Sequence, residues 1–226
     1  MKLSIVIPAY NEKKTILKVL QVVKKQPVLG LEKEIIVVDD GSTDGTRDLL
    51  KKVNGVTVIF HEKNQGKGAA LRTGLKQATG DIFLIQDADL EYDPADYPKL
   101  LKPILDGKTN VVYGSRFLKT HHARYQLFYL GNKFLSLLTT VLYGQRITDM
   151  ETCYKMFTRE VLEKLDLRAR RFEFEPEITA KILKAGFKIM EVPISYECRP
   201  FHEGKKITWK DGVKAALYLI KYRFSS

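Results

Sequence analysis

The sequence predicts an α/β fold in which helices cover both faces of a mainly parallel sheet. Short, nearly all-apolar, β-branched segments alternate with amphipathic segments along the first half of the chain. Buried strands of parallel sheets have this continuous apolar composition, because both of their faces are covered. Polar clusters follow the apolar segments, at the edge of the sheet where open α/β folds bind ligands.

Expected strands and helices alternate through the first 115 residues. The strands span residues 3–8, 34–40, 56–61, 81–86 and 110–115, and the helices span residues 12–26, 42–53, 66–79 and 94–107. Ser42, Thr43 and Asp44 are good caps for the start of the second helix, and Gly80 ends the third. This alternation is typical of strand–helix–strand units with parallel strands.

The second half contains longer amphipathic segments. We expect helices at 125–144, 172–186 and 208–224, and a strand pair or bent strand at 187–198. The first helix has the apolar face Leu127, Leu130, Phe134, Leu138 and Val141; the last has Trp209, Val213, Ala216, Leu217 and Ile220, with Lys210, Lys214 and Lys221 on the other face. Each apolar face either packs into the protein or lies on a membrane surface, and the pattern leaves both open.

Composition narrows the range of partners. The 226 residues, 44% of them hydrophobic, suit a single domain over residues 1–226, and the net charge of +11 suits a polyanionic partner. The lysines are dispersed and not interleaved with aromatic residues, so nucleic acid is not expected as the partner. Cys153 and Cys198 lie far apart without metal-ligand spacing, which favours two reduced thiols.

The segment DADLE carries the most suggestive chemistry. Asp87, Asp89 and Glu91 stand at alternate positions just after an expected strand, where unpaired carboxylates repel one another. Carboxylates in this arrangement can hold Mg²⁺ or Mn²⁺ together with the phosphate oxygens of a substrate. The metal would then neutralise the charge on a diphosphate group as it leaves that substrate. The alternative is a turn followed by a helix start before Pro94.

Two other strand exits carry polar groups suited to a nucleoside. Asp40 follows a buried strand at a sharp turn, where its carboxylate can accept a nucleobase N–H or brace the turn. Tyr10, Asn11 and Glu12 at the exit of the first strand offer ring stacking, amide contacts and an acid for a ribose, or form a simple turn after Pro8.

Several segments together resemble a known family. They are SIVIPAYNE, IIVVDDGSTDGT, NQGKGAALRTGLKQATGD and QDADLEYDPADYPKLL, followed by VVYGSRF, TDMETCYKMF, FEFEPEITAKILKAGFKIMEVPISY and EGKKITWKDG. In this order and spacing, over about residues 3–215, they resemble the family 2 glycosyltransferases of GT-A fold, a Rossmann-like three-layer sandwich. The branch they resemble contains the dolichyl-phosphate mannose and dolichyl-phosphate glucose synthases.

The resemblance implies a role for each matching residue. The residues that match positions contacting the nucleotide and its diphosphate are Pro8, Ala9, Tyr10, Asn11, Glu12, Val38, Asp40, Lys67, Asp87, Ala88 and Asp89. The residues that match metal-binding positions are Asp87, Asp89 and Glu91. Those that match catalytic positions are Asp89, Arg116, Arg199 and Lys205. Arg116 matches a basic residue between the donor and acceptor phosphates, and Arg199 and Lys205 match a loop that closes over them.

The implied activity is an inverting, metal-dependent transfer of mannose or glucose from GDP-mannose or UDP-glucose to a polyprenyl or dolichyl phosphate. About residues 1–120 would form the nucleotide-sugar half and about residues 121–226 the acceptor half, with C-terminal helices on a membrane surface. The expected location is the cytoplasm or the cytoplasmic face of a membrane, with a membrane-anchoring subunit as a further partner. The alternative is a saccharide hydroxyl acceptor, as in surface polysaccharide assembly.

One position departs from the family pattern. Relatives that make mannosyl lipids often carry an arginine on the helix after GSR, where this chain has Leu130, and Arg124 or Lys133 would have to replace it. A phosphate acceptor is already anionic and needs no strong base, whereas a hydroxyl acceptor needs one. Asp149 and Glu177 are the candidates for that base, or else serve the structure.

Overall fold

A computed structural model of the protein describes residues 1–119, 126–199 and 209–224. Its strands are β1 (Lys2–Ala9), β2 (Glu32–Asp39), β3 (Thr57–Phe60), β4 (Ile82–Ile85), β5 (Val111–Ser115), β6 (Lys155–Thr158) and β7 (Ile189–Pro193). Its α-helices are α1 (Ile16–Lys25), α2 (Thr46–Leu50), α3 (Lys67–Gln77), α4 (Tyr97–Leu105), α5 (Gln126–Tyr143), α6 (Arg159–Glu163), α7 (Phe174–Lys184) and α8 (Trp209–Phe224). A short 3₁₀ helix, Pro94–Asp96, precedes α4.

The strands form one seven-stranded sheet in the order β3-β2-β1-β4-β6-β5-β7. Strand β1 pairs in parallel with β2 and β4, β2 with β3, and β5 with β7. Strand β6 lies between β4 and β5 and runs antiparallel to both. The expected mainly parallel sheet is therefore confirmed, with β6 as the exception.

Strand β6 begins in the segment TDMETCYKMF, which has no long apolar run, and ends one residue after it. Its first residue, Lys155, is fully buried, and its ammonium group donates to the carbonyl of Met150 at 3.0 Å and to Glu175 at 2.6 Å. Because β6 is antiparallel, the residues that precede it lie beside the carboxyl ends of β4 and β5. Residues 149–154 thereby reach the edge of the sheet where the other polar loops lie.

The C-terminal side of the sheet ends in a bent extension. Strand β7 pairs with β5 as far as Pro193, and Tyr196 then forms an isolated antiparallel bridge with Tyr92 in the loop after β4. The backbone N–H of Glu197 also donates to the carbonyl of Glu91. These contacts bring the segment that ends at Arg199 to the loop after β4.

Helices α5 and α8 pack against each other, and the hydroxyl of Tyr143 donates to the carbonyl of Leu219 at 2.8 Å. Leu135 and Leu219 are buried on their inner sides, together with the smaller residues Ser136, Thr139 and Ala215. Several of their larger apolar side chains are exposed. The exposed set comprises Leu130, Phe134, Leu137 and Val141 on α5 and Val213, Leu217, Ile220 and Phe224 on α8.

These exposed apolar residues form one stripe on each helix, and both stripes face away from the protein core. Each stripe follows the spacing i, i+4, i+7, i+11, so its members lie on one face of the helix. On α8, Lys214 and Lys221 flank the stripe instead of lying opposite to it, because the opposite face holds the buried Ala215 and Leu219. The side chains of Leu127 and Trp209 lie outside the described part of the chain.

Across residues 1–119, 126–199 and 209–224, the helices are all too short or too polar to span a bilayer.

Candidate functional site

A cavity of about 450 Å³ opens at the carboxyl edge of the sheet. It is lined by most of the residues that the sequence marks as binding or catalytic. Those residues are Pro8, Ala9, Tyr10, Glu12, Asp40, Lys67, Asp87, Ala88, Asp89, Glu91, Arg116 and Arg199. Loops after β1, β2, β4 and β5 thus converge as the parallel topology predicts.

Two predicted nucleotide contacts do not line this cavity. Val38 is fully buried inside β2. Asn11 braces the turn after β1, where its side-chain oxygen accepts the N–H of Thr43 at 2.8 Å and its own N–H donates to Ser42 at 2.9 Å. Asn11 has a φ of 54°, which is sparsely populated for a non-glycine residue and needs such bracing.

Asp40 lies at the cavity wall and also organises the loop before α3. One carboxylate oxygen lies 2.8 Å from Nδ1 of His61 and accepts the N–H of Gln65 at 2.9 Å, and the other accepts the N–H of Gly66 at 2.7 Å. A carboxylate has about four acceptor positions, so a position remains for a ligand N–H. The two roles that the sequence leaves open for Asp40 are compatible.

Two glycines, Gly66 and Gly68, allow the start of α3 to lie directly against the loop that contains Ala169 and Arg170. Gly66 has a φ of 102°, and a Cβ there would lie 2.3 Å from the carbonyl oxygen of Arg170. A Cβ at Gly68 would lie 2.7 Å from the carbonyl oxygen of the preceding residue in that loop. This close approach sets Lys67 between Asp87 and Glu175, with its ammonium 2.9 Å and 3.2 Å from their oxygens.

The loop after β4 crowds three carboxylates into the cavity. Burial, and after it the charges of Asp87 and Glu91, raise the pKa of Asp89 to about 7. Burial alone would also raise the pKa of Asp87, but the adjacent Lys67 outweighs it, so that pKa is lowered. Leu90 has a φ of 64°, so the backbone of this turn is strained.

Arg199 connects the same carboxylates to the loop after β1. Its guanidinium lies 3.1 Å from Glu12, 3.5 Å from Asp89 and 3.8 Å from Glu91. Glu91 also accepts the hydroxyl of Tyr196 at 2.7 Å and the backbone N–H of Arg199 at 3.1 Å. Glu91 is therefore tied to the C-terminal segment as well as lining the cavity.

Arg116 is buried in the part of the cavity wall that follows β5. Its Nε and Nη2 donate to Asp149 at 2.7 Å and 2.6 Å, and its backbone N–H donates to the same carboxylate at 2.9 Å. The guanidinium also lies 5.0 Å from the centre of the Tyr196 ring and 5.5 Å from that of Phe117. Asp149 is thus occupied in holding Arg116 in place.

The other candidate base also has a structural role. Glu177 accepts the backbone N–H groups of Arg168 and Ala169, pairs with a lysine on its own helix, and does not line the cavity. Two carboxyl groups that sequence reasoning missed do line it. They are Glu151, before β6, and Glu175, on α7.

The charge of the cavity is opposite to that of the chain. Among the described residues, its lining contains seven carboxyl groups but only four basic groups. The carboxyl groups are Glu12, Asp40, Asp87, Asp89, Glu91, Glu151 and Glu175, and the basic groups are Lys67, Arg116, Arg171 and Arg199. A diphosphate would be repelled here unless a cation accompanied it.

The residues fit a divalent cation, although not as a preformed three-carboxylate cluster. Within the described ranges, no group of three or more acidic, histidine or cysteine side chains is arranged to hold a metal ion. Asp89 has the crowded, largely buried carboxyl that a cation would stabilise, whereas Lys67 and Tyr196 engage Asp87 and Glu91. Mg²⁺ is commonly held by one or two carboxylates together with substrate phosphates, which this arrangement allows.

Two basic residues singled out by the sequence, Lys205 and Arg124, fall outside the described ranges. Lys133, the other substitute for the missing arginine, lies on α5 with its ammonium 4.4 Å from the centre of the Phe117 ring. Leu130 itself is exposed. Lys133 is therefore close to the part of the cavity that contains Arg116 and Phe117.

Similar proteins share the sequence pattern. The family model described as glycosyl transferase family 2 matches residues 4–166. A dolichol-phosphate mannosyltransferase of Pyrococcus furiosus is 32% identical over 216 residues, which cover 91% of this chain and 59% of that protein. A UDP-N-acetylglucosamine–dolichyl-phosphate N-acetylglucosaminyltransferase of Methanococcus voltae is 33% identical over 213 residues, covering 84% of this chain and 83% of that protein.

Solved structures share the fold. Glucosyl-3-phosphoglycerate synthase of Mycobacterium tuberculosis superposes with a TM-score of 0.75 at 26% identity, covering 100% of this chain and 82% of that one. A complex of the same enzyme with Mn²⁺, uridine diphosphate and glucosyl-3-phosphoglycerate gives a TM-score of 0.75 at 24% identity, covering 98% and 79%. The family model covers most of the chain, and relatives more than 30% identical span most of it as well. The chain is therefore a glycosyltransferase that belongs to family 2 and has the GT-A fold.

Proposed function

We propose that the chain moves a hexose from a nucleotide sugar to a polyprenyl phosphate, with inversion at the anomeric carbon, at a membrane surface. The observation that carries this proposal is the cavity itself. It combines an acidic group around Asp89, a buried arginine, and a wall from helix α5, whose other side exposes apolar residues. The names of the Pyrococcus and Methanococcus relatives support a dolichyl-phosphate acceptor.

The acidic part of the cavity suits the donor. Asp89, with Asp87 beside it, would hold Mg²⁺ or Mn²⁺, which would neutralise the charge that develops on the departing nucleoside diphosphate. Lys67 and Arg199 provide two further positive charges near these carboxylates. The metal ions and uridine diphosphate in the mycobacterial complexes support this use of the fold.

The part of the cavity around Arg116 suits an acceptor that combines phosphate and hydrocarbon. Arg116 supplies a fixed cation, and Phe117, Phe128 and Tyr129 supply an apolar wall. An acceptor held there would attack the anomeric carbon from the side opposite to the leaving diphosphate. Positioning and electrostatic stabilisation would supply most of the catalysis.

The apolar stripes on α5 and α8 suit a membrane surface next to the acceptor. An interfacial helix buries an apolar face and keeps lysines at its margin, as Lys214 allows on α8. Helix α5 contributes Phe128 and Tyr129 to the cavity and exposes Phe134 and Val141 outside it. A polyprenyl chain would therefore leave the cavity close to the bilayer.

Replacing Leu217 by glutamate is expected to weaken binding to vesicles of phosphatidylcholine and phosphatidylglycerol at least about tenfold, because burial of one leucine contributes about 1.5–3 kcal/mol. Leu217 is 62% exposed on α8. The matched control is Leu17→Glu, which makes the same charge change at an exposed leucine on α1. Co-sedimentation measures both variants. Equal loss of binding in the two would contradict a membrane contact at α8.

Incubation with GDP-mannose, UDP-glucose and UDP-N-acetylglucosamine tests the proposed reaction. With Mg²⁺ or Mn²⁺ and a short polyprenyl phosphate, we expect one donor to release nucleoside diphosphate in amounts that match the glycolipid formed. Omission of the lipid phosphate or addition of a chelator should stop the release. The configuration of the sugar in the product reports inversion.

A hydroxyl acceptor is the second candidate. The mycobacterial enzyme was crystallised with phosphoglyceric acid, so a protein of this fold also binds a small phosphorylated hydroxyl compound. Including phosphoglycerate and a saccharide in the same panel separates the two functions. Transfer to either of these, with none to polyprenyl phosphate, would replace the first proposal by the second.

A further inference from the structure

One cavity carboxyl differs from the others in its surroundings. Asp87 and Glu175 each contact a lysine, and Glu12 contacts Arg199. Glu151 forms no ion pair within the described ranges, and its buried Oε1 has no hydrogen-bond partner there. A buried, unsatisfied oxygen costs stability, so its presence at a cavity wall points to a ligand that engages it.

The charged groups around Glu151 come from three other parts of the fold and from its own loop. Glu175 faces it from α7, Lys155 from β6 and Arg116 from the end of β5, while Asp149 precedes it in the chain. These neighbours already form ion pairs, Arg116 with Asp149 and Lys155 with Glu175. Burial, and after it the charge of Glu175, raise the pKa of Glu151 to about 7.

We infer that Glu151 accepts a proton from the acceptor phosphate as that phosphate attacks the sugar. The inference rests on the proposed function, because it assumes a phosphate monoester acceptor bound beside Arg116. It assigns proton transfer to Glu151 in place of Asp149 and Glu177, whose oxygens hold other parts of the protein. Glu151 lines the same cavity as Arg116 and the carboxylates after β4.

The proposed step conserves atoms, charge and electrons. A phosphate oxygen of the acceptor monoanion forms a bond to the anomeric carbon, and its proton passes to the carboxylate of Glu151. The bond between that carbon and the nucleoside diphosphate breaks, and its electron pair leaves with the diphosphate oxygen. The products are a sugar phosphodiester with one negative charge, the nucleoside diphosphate and a neutral Glu151, which then loses its proton to solvent.

A base of this strength matches this acceptor. Phosphate monoesters lose their second proton with a pKa of about 6, so part of the acceptor still carries that proton near neutral pH. A carboxyl with an ordinary pKa would be a poor base for it, whereas a pKa near the working pH favours proton transfer. Because its basic neighbours are already paired with other carboxylates, Glu151 keeps a raised pKa, which suits it to accept this proton.

The test compares the wild type with Glu151→Gln from about pH 6 to about pH 8.5. The variant can use only the acceptor dianion, so we expect the ratio of wild-type to variant kcat/KM for polyprenyl phosphate to be largest at about pH 6, where the monoanion is most abundant. At higher pH the ratio should fall by about tenfold, because the monoanion that only the wild type uses becomes scarce. Glu151→Asp should recover part of the rate, and the surface variant Glu160→Gln should match the wild type.

Thermal unfolding separates this role from a structural one. In the native state the pKa of Glu151 is raised to about 7, above the ordinary value for a glutamate. Ionisation of Glu151 therefore lowers the stability of the fold as the pH rises from that ordinary value to about 7. Glu151→Gln should therefore melt higher than the wild type at about pH 8 and show no such gain at about pH 4. A lower melting temperature at both pH values, or a rate ratio that does not change with pH, would overturn the inference.

Failure of the proposed function has a different signature. If the wild type transfers no sugar to polyprenyl phosphate with any donor, the acceptor assignment is wrong and this inference falls with it. If the wild type does transfer sugar to the lipid phosphate but Glu151→Gln is equally active over the whole pH range, only the role of Glu151 is wrong.

Discussion

Replacing Asp89 by alanine is expected to lower the rate of sugar transfer at least about 1000-fold and to leave the fold intact. Asp89 is the largely buried carboxyl whose pKa is raised to about 7 by burial and by its neighbours Asp87 and Glu91. Removal of this carboxyl relieves its repulsion by Asp87 and Glu91, so the stability of the native state should change little. The reaction loses the group that would hold the cation on the leaving diphosphate.

The rate is measured as release of nucleoside diphosphate at saturating metal, donor and lipid phosphate. Asp48→Ala is the matched control, because Asp48 is exposed on α2 and pairs with Lys51 at the surface. Calorimetric titration with Mn²⁺ and nucleoside diphosphate should show weaker binding in Asp89→Ala and unchanged binding in the control. Full turnover by Asp89→Ala in the presence of the metal would exclude the proposed metal role.

The architecture around Asp89 can be predicted because it depends on local patterns. Each apolar segment of the first half predicts a strand from its own composition, and parallel pairing brings the strand exits to one edge. Asp40 and Asp87 are 47 positions apart in the sequence and still line the same cavity. No knowledge of individual contacts is needed for that result.

The second half of the site depends on contacts between distant residues. Strand β6 begins with the buried Lys155, which pairs with Glu175 at a separation of 20 positions. A lysine usually indicates an exposed position, so the composition of β6 is misleading. The position of Glu151 beside the cavity follows from the path of β6 and is equally hidden in the sequence.

The acidic run at the start of helix α7, from its N-cap Glu173 onward, shows the same limit. Glu173, Glu175 and Glu177 stand at alternate positions of one segment and have three different surroundings. Glu173 accepts backbone N–H groups of the preceding loop, Glu175 lies buried between two lysines, and Glu177 holds the backbone at Arg168. Sequence spacing cannot separate these roles, because the partners belong to other elements.

The orientation of α5 and α8 also cannot be read from periodicity. The period predicts an apolar stripe on each helix, and a stripe of this kind normally faces the core. Among the predicted members, Leu138 and Ala216 do pack against the core, whereas the other members whose side chains are described are exposed. Here short residues such as Ala215 and Thr139 pack inward, and Leu217 and Val141 remain outside. Which side is buried depends on how the two helices pack against each other and against α7.

Replacing Arg116 by methionine is expected both to destabilise the protein and to lower transfer at least about 100-fold. Arg116 makes three hydrogen bonds to Asp149, two of them from the guanidinium. Without that guanidinium the fully buried carboxylate loses its counter-ion, which typically costs about 3–5 kcal/mol. For a chain of this length the melting temperature should fall by about 10 °C.

A second substitution separates stability from catalysis. In the double variant Arg116→Met, Asp149→Asn, the side-chain amide oxygen can still accept the backbone N–H at position 116, and the buried charge is gone. We therefore expect urea unfolding to show that most of the lost stability is recovered. Transfer should stay low, because the acceptor phosphate would still lack the cation beside which it binds. Recovery of activity together with stability would mean that Arg116 acts only on the fold.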